Sequence, residues 1–174
     1  MIPVEEQSPI EDLSTLALKL TKQFTEDGSL LKCQGILRAY TGTDYKKYCH
    51  FSTERYHRVK LEDVCNEHLE FFLLCWEGEQ RAPPHDHPKT GCALKLLEGS
   101  LTETLYARPH NSLADEPSYV NCGSRILKAG DVSYMQDHGC IHSIANGTQR
   151  SISLHVYEMN YQPVFYSVAE DQEL

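Results

Sequence analysis

The chain has 174 residues, 40% hydrophobic and 24% charged, with a formal net charge of −9. That length suits one domain able to bury roughly 68–70% of the surface its unfolded chain exposes. The acidic balance, without a basic cluster to neutralise phosphates, excludes charge-driven nucleic-acid binding. No apolar run approaches the ~20 residues needed to cross a bilayer, so we expect no membrane partner. Seven cysteines form an odd, scattered set without a Cys-x-x-Cys, and MIPVEEQSPIEDL lacks the basic and apolar regions of a secretion signal. A cytoplasmic, reducing compartment with free thiols is the expectation.

The first predicted element is a helix opening at Ser8-Pro9-Ile10-Glu11, with a capping serine, a proline at the first helical position and a glutamate three residues after the cap. Ile10, Leu13, Ala17, Leu20 and Phe24 continue it at spacings of three and four, and Asp27-Gly28 ends it. A shorter helix is expected from Leu30 to Ala39, with a break over Thr41-Gly42-Thr43-Asp44 and a helical turn after it. Residues 1–50 then form a helical cap belonging to the same domain as residues 51–174.

From about Phe51 the period changes from helix to strand. Strands are predicted at Arg55–Leu61, Leu69–Trp76, His85–His87, Cys92–Leu97, Leu101–Tyr106, Arg125–Leu127, Val132–Met135, Ile141–Ala145, Ser151–Tyr157 and Val164–Val168. Turn residues punctuate them at Gly78, Pro83-Pro84, Gly99-Ser100, Gly130-Asp131, Gly139 and Asn146-Gly147. Many short strands at near-regular spacing predict a mainly β sandwich or barrel. Residues 107–123 read as one long polar loop.

Chemistry concentrates in HDHPKTGC, His85 to Cys92. Two histidines two apart on a strand project from one face, so His85 and His87 can converge on a metal while Asp86 points away. His142 in a later strand offers a third imidazole. Three neutral ligands leave the divalent charge on the metal, which suits an anionic substrate such as a thiolate. Zinc with an activated water is the competing assignment, and spacing does not choose between them. His57, His68, His110 and His138 read as surface or loop residues, Trp76 as packing, and Glu98 and Glu103 as solvated strand positions.

Two patterns, Gly78-x6-His85-x-His87-x11-Gly99 and Gly139-x2-His142-x3-Asn146, resemble the double motif of the cupins, small β-barrels that hold one metal. The carboxylate that usually follows the second histidine is missing, since Gly91 and Cys92 occupy its positions. The resemblance narrows over residues 46–158. The run LLCWEGEQRAPPHDHPKTGCALKLLEGSLTETLY, the strand SISLHVY and KKYCHFSTERYHRVKL are similar to segments of the cysteine dioxygenase family.

That resemblance implies a single cupin, jelly-roll-like β-barrel and an iron enzyme oxidising L-cysteine with O2 to cysteine sulfinate. His85, His87 and His142 would ligate one Fe(II) per chain. Substrate thiolate and amine would bind that iron, with the carboxylate on Arg58 and Tyr56 at the pocket border. Tyr157 would be supported by His155 and Ser153, and Cys92 would join Tyr157 in a thioether crosslink, a protein-derived cofactor. We expect a monomer with no nucleic-acid or membrane partner. Dioxygenation of another small thiol, 3-mercaptopropionate or cysteamine, is the neighbouring alternative, and a non-catalytic metal-binding cupin the more distant one. The family's Ser-Pro-Pro after the tyrosine is replaced by Glu158-Met159-Asn160, and the chain stops soon after Ser167. The site is therefore expected to lie open or to be covered by the N-terminal helices.

Overall fold

A computed structural model describes residues 8–108, 119–136 and 140–168. Two helices and two short 3-10 turns precede nine strands. They are α1 (Leu13–Asp27), a turn at Leu31–Cys33, α2 (Gln34–Ala39) and a second turn at Asp44–Tyr48. The strands follow as β1 (His57–Lys60), β2 (Leu69–Trp76), β3 (Arg81–His85), β4 (Cys92–Glu98), β5 (Ser100–Ala107), β6 (Val120–Lys128), β7 (Val132–Met135), β8 (Cys140–Asn146) and β9 (Ser151–Glu158).

The strands form a five-stranded sheet in the order β1-β2-β9-β4-β7 and a four-stranded sheet in the order β3-β8-β5-β6. The fold is mainly β, as expected, but its two sheets face each other without closing into a continuous barrel. All eight residues of β2 are buried. Phe71, Leu73 and Cys75 pack toward the helices, whereas Phe72, Leu74 and Trp76 pack toward the other sheet. A strand covered on both faces carries a continuous apolar run, which is why LEFFLLCW shows no alternation. On β9 the faces divide by chemistry. Ile152, Leu154 and Val156 join the helical core, while Tyr157 joins the inter-sheet core and Ser153 bonds Trp76 there.

Helix α1 starts later than Ser8-Pro9 predicts. Ile10 is held extended in a bridge to Tyr40, giving its carbonyl to Thr41 and its N–H to Ala39. Asp12 is the cap instead, accepting from the Thr15 N–H at 2.7 Å, and Gly28 closes the helix at φ 66. The second predicted helix divides into a 3-10 turn and α2. Buried Lys95 of β4 donates to the Arg38 and Tyr40 carbonyls at the end of α2, tying the helices to the sheet.

Other boundaries shift too. The predicted strand at Arg55–Leu61 shortens to β1. β3 begins at Arg81 and stops at His85, so His87 follows the strand rather than lying on it; β3 also carries an irregularity between Ala82 and His85. The expected loop 107–123 is β5 at one end and β6 at the other, its centre at 109–118 lying outside the described residues. Residues 164–168 form no strand but an irregular strap with one bridge, Phe165 to His85. His110, His138 and Gly139 also lie outside the described residues. No described helix is long and apolar enough to cross a membrane.

Candidate active site

His85, at the end of β3, pairs directly with His142 of β8, and the two-residue advance to His87 brings a third ring alongside. Ring centroids are 5.0 Å apart for His85–His87, 4.7 Å for His85–His142 and 4.4 Å for His87–His142. One ligand nitrogen from each lies within 4.8 Å of the others. His85 Nδ1 faces the Pro83 carbonyl at 2.8 Å and His142 Nδ1 faces Glu103 Oε1 at 2.8 Å. An N–H at each Nδ1 makes the donor those acceptors require, which leaves both Nε2 lone pairs free. Both ring nitrogens of buried His87 lack a hydrogen-bond partner among the described residues. Burial, followed by the other histidines, pushes the His87 pKa well down, and His85 is lowered to about 4 by burial and His142. Three imidazoles whose ring nitrogens converge fit a divalent metal.

The sequence missed Glu103, which is fully buried rather than solvated. Besides His142 it accepts from Arg125 Nε at 2.6 Å and from Ser133 Oγ at 2.9 Å. Burial pushes its pKa up, but His142 and Arg125 more than reverse this and hold it at about 2. Alternation along β5 carries the hint, since Glu103 shares a face with Leu101 and Leu105, but the partners that make burial tolerable come from β6, β7 and β8. At one of the two positions where the ligand motif usually carries an acid, Gly91 leaves no room for a side chain. Its φ is 91, and a Cβ there would overlap the Tyr134 ring.

A cavity of about 240 Å³ reaches the histidines at His85 and is lined by Tyr56, Arg58, Trp76, His155 and Tyr157, among others. That is below the usual range for drug-sized ligands and suits a small metabolite. Accessible Arg58 forms no ion pair among the described residues, and its guanidinium lies 3.4 Å above the Phe72 ring. Tyr56 stacks on Trp76 at 4.4 Å.

A chain of hydrogen bonds runs along β9. Trp76 Nε1 donates to Ser153 Oγ at 3.0 Å, Ser153 meets His155 Nε2 at 2.9 Å, and His155 Nδ1 meets Tyr157 Oη at 3.2 Å. Indole only donates, so among the described residues His155 Nε2 is the acceptor left for the serine hydroxyl, and with that tautomer Nδ1–H is directed at the phenol oxygen. Trp76 therefore does more than pack. Cys92 of β4 is the direct cross-strand partner of Tyr157, and both are buried. Burial pushes the Cys92 thiol up to about 12 and the Tyr157 phenol well above its ordinary value.

The N-terminal helices lie on the far face of the five-stranded sheet, so they do not cover this cavity. Gln162, Pro163 and Phe165 line it instead. Asp86 ties that strap down: its carboxylate accepts from Tyr161 Oη at 2.6 Å, the Val164 N–H at 2.8 Å and Tyr166 Oη at 2.9 Å.

Comparison with known proteins agrees with this geometry. Two solved structures are 16% identical to the chain and share the fold alone. An uncharacterised protein with a double-stranded β-helix domain from Klebsiella pneumoniae gives a TM-score of 0.53, covering 72% of this chain and 90% of that one. A Thermus thermophilus protein gives 0.50, covering 67% and 94%. Human cysteine dioxygenase type 1 is 33% identical over 128 residues, 71% of this chain and 62% of that protein, so the chain spans less than two thirds of that relative's length. The zebrafish (Danio rerio) protein of the same name is 30% identical over 157 residues, covering 87% and 77%. A family model for cysteine dioxygenase type I matches residues 8–167, and the chain belongs to that family.

Proposed function

We propose that the protein is a non-haem iron thiol dioxygenase that converts L-cysteine and O2 to cysteine sulfinate. The observation that carries this reading is a cluster of three imidazoles opening onto a small cavity whose accessible cation is Arg58. His85, His87 and His142 would hold the metal, and iron(II) there would supply activation of dioxygen and of the substrate thiolate.

Arg58 binds the substrate carboxylate, a role supported by its planar fork and its lack of an ion pair among the described residues. Tyr56 borders the same end of the cavity. Tyr157 presents its hydroxyl to the substrate. With His155 donating to the phenol oxygen, the phenol proton is free to turn toward the cavity, and Ser153 and Trp76 hold His155 in that tautomer. The strap of residues 161–166 restricts water and limits substrate length.

Cys92 and Tyr157, opposite one another on β4 and β9, form a thioether. A bond forms between Cys92 Sγ and a carbon of the phenol ring as S–H and C–H break, and dioxygen takes the two protons and two electrons.

Turnover of cysteine, 3-mercaptopropionate and cysteamine by the native protein and Arg58→Gln tests the assignment. We expect cysteine to lose the most, about 10-fold or more in kcat/KM for a charge-assisted contact, and cysteamine, which has no carboxylate, the least. Equal losses on cysteine and cysteamine would refute the role of Arg58.

A further inference from the structure

The ligand motif lacks an acid, yet a carboxylate lies one residue behind the cluster. Glu103 is 0% exposed and His142 1%. Four strands from both sheets converge on this carboxylate: Glu103 from β5, Arg125 from β6, Ser133 from β7 and His142 from β8. Oε1 takes the His142 Nδ1–H at 2.8 Å and the Ser133 hydroxyl at 2.9 Å. Oε2 takes Arg125 through Nε at 2.6 Å and Nη2 at 2.5 Å, and the same Nη2 donates to Ser133 Oγ at 2.7 Å. The Arg125 side chain is 50% exposed, so the network runs from solvent to the imidazole.

A buried carboxylate is costly unless fully partnered, and simple packing would place an apolar residue there at less cost. Its effect on His142 follows from elementary acid–base chemistry. A carboxylate accepting from Nδ1–H draws that proton and makes Nε2 a stronger donor. A cation on the carboxylate's other oxygen draws charge the opposite way.

We infer that Glu103 is the positioning residue that supplies this metal centre with its missing carboxylate through His142, and that Arg125 limits how much of that charge reaches the metal. The inference rests on the three-histidine metal site proposed above. It predicts opposite effects from two substitutions that remove partners of the same salt bridge, which a merely structural role does not.

The test is titration of metal-free protein with Co²⁺ or Zn²⁺ in competition with a chromophoric chelator, alongside thermal unfolding of each variant. Glu103→Gln keeps the shape but removes the charge, and its single carbonyl oxygen can accept on the His142 side or on the Arg125 side but not on both. It should weaken affinity about 10–100-fold and move the Fe(III)/Fe(II) potential to more positive values. Arg125→Met, keeping an apolar stem, should tighten binding several-fold and move the potential the other way. Unchanged affinity in Glu103→Gln, or unchanged or weaker affinity in Arg125→Met, overturns the inference. If Glu103→Gln does not fold, Arg125→Met decides alone, tighter binding supporting the inference. Failure of the native protein to bind any divalent metal would instead overturn the metal-site reading, which separates the two claims.

Discussion

His87 is where burial and solvation conflict most openly, since both nitrogens of its ring are buried with no partner among the described residues. An unmade buried hydrogen bond costs about 1–3 kcal/mol, so without a metal this imidazole is a liability. In metal-free His87→Ala the relieved polar groups and the new cavity act in opposite directions, and unfolding free energy should change little. The stabilisation given by metal should disappear: ~2.7 kcal/mol for native protein at a hundredfold excess over Kd, and near zero in the variant. Calorimetry with and without Zn²⁺ checks this, and equal metal stabilisation of both proteins would remove His87 from the ligand set. Cys92 carries a second prediction at this scale. A fraction of native protein should be lighter by two hydrogens in intact mass, and Cys92→Ser should abolish that species. A native mass without that species after aerobic turnover would count against the crosslink. The cluster histidines were legible because each sits in a short local pattern, whereas Arg58, Tyr157 and Cys92 stood out only through the family resemblance, since each residue type alone reads as an ordinary surface cation or core side chain. Glu103 was not legible: alternation sets it on the same face as Leu101 and Leu105, but a buried acid there makes sense only with the partners that three other strands bring to it.

At the scale of elements, legibility followed how each element is buried. β2 and β9 have apolar or mixed residues on two covered faces, and their runs mark their bounds closely. β6 is exposed at eight of its nine positions, so no pattern distinguishes it from the polar loop before it. Helix α1 shows a local signal overruled by distant pairing: Ser8-Pro9-Ile10-Glu11 has the chemistry of a helix start, yet Ile10 is taken into a bridge with Tyr40. Asp12 does the capping, with a second contact from its carboxylate to Thr15 Oγ1 at 2.8 Å. Asp12→Ala should therefore cost about 1 kcal/mol in chemical denaturation, whereas Ser8→Ala should change stability by only a few tenths. A larger loss from Ser8 would restore the earlier start.

For the whole molecule, the arrangement separates stability from chemistry. One face of the five-stranded sheet is committed to the helices through an apolar core that contains no titratable ligand of the site. The other face meets the second sheet and carries the Trp76–Ser153–His155–Tyr157 chain toward the histidines. The cover of the cavity could not be read from sequence. Residues 161–166 hold no regular structure, and their order comes from Asp86, a residue the ligand motif places facing away from the metal. The topology thus uses both sides of the His-x-His segment, the imidazoles for the centre and the intervening carboxylate for its lid. Metal-free protein should be reconstituted anaerobically with Fe(II), and oxygen uptake and sulfinate formation followed on adding L-cysteine. We predict one dioxygen consumed per sulfinate formed, with no activity in His87→Ala; stoichiometric iron binding with no oxygen uptake on any small thiol would contradict the account.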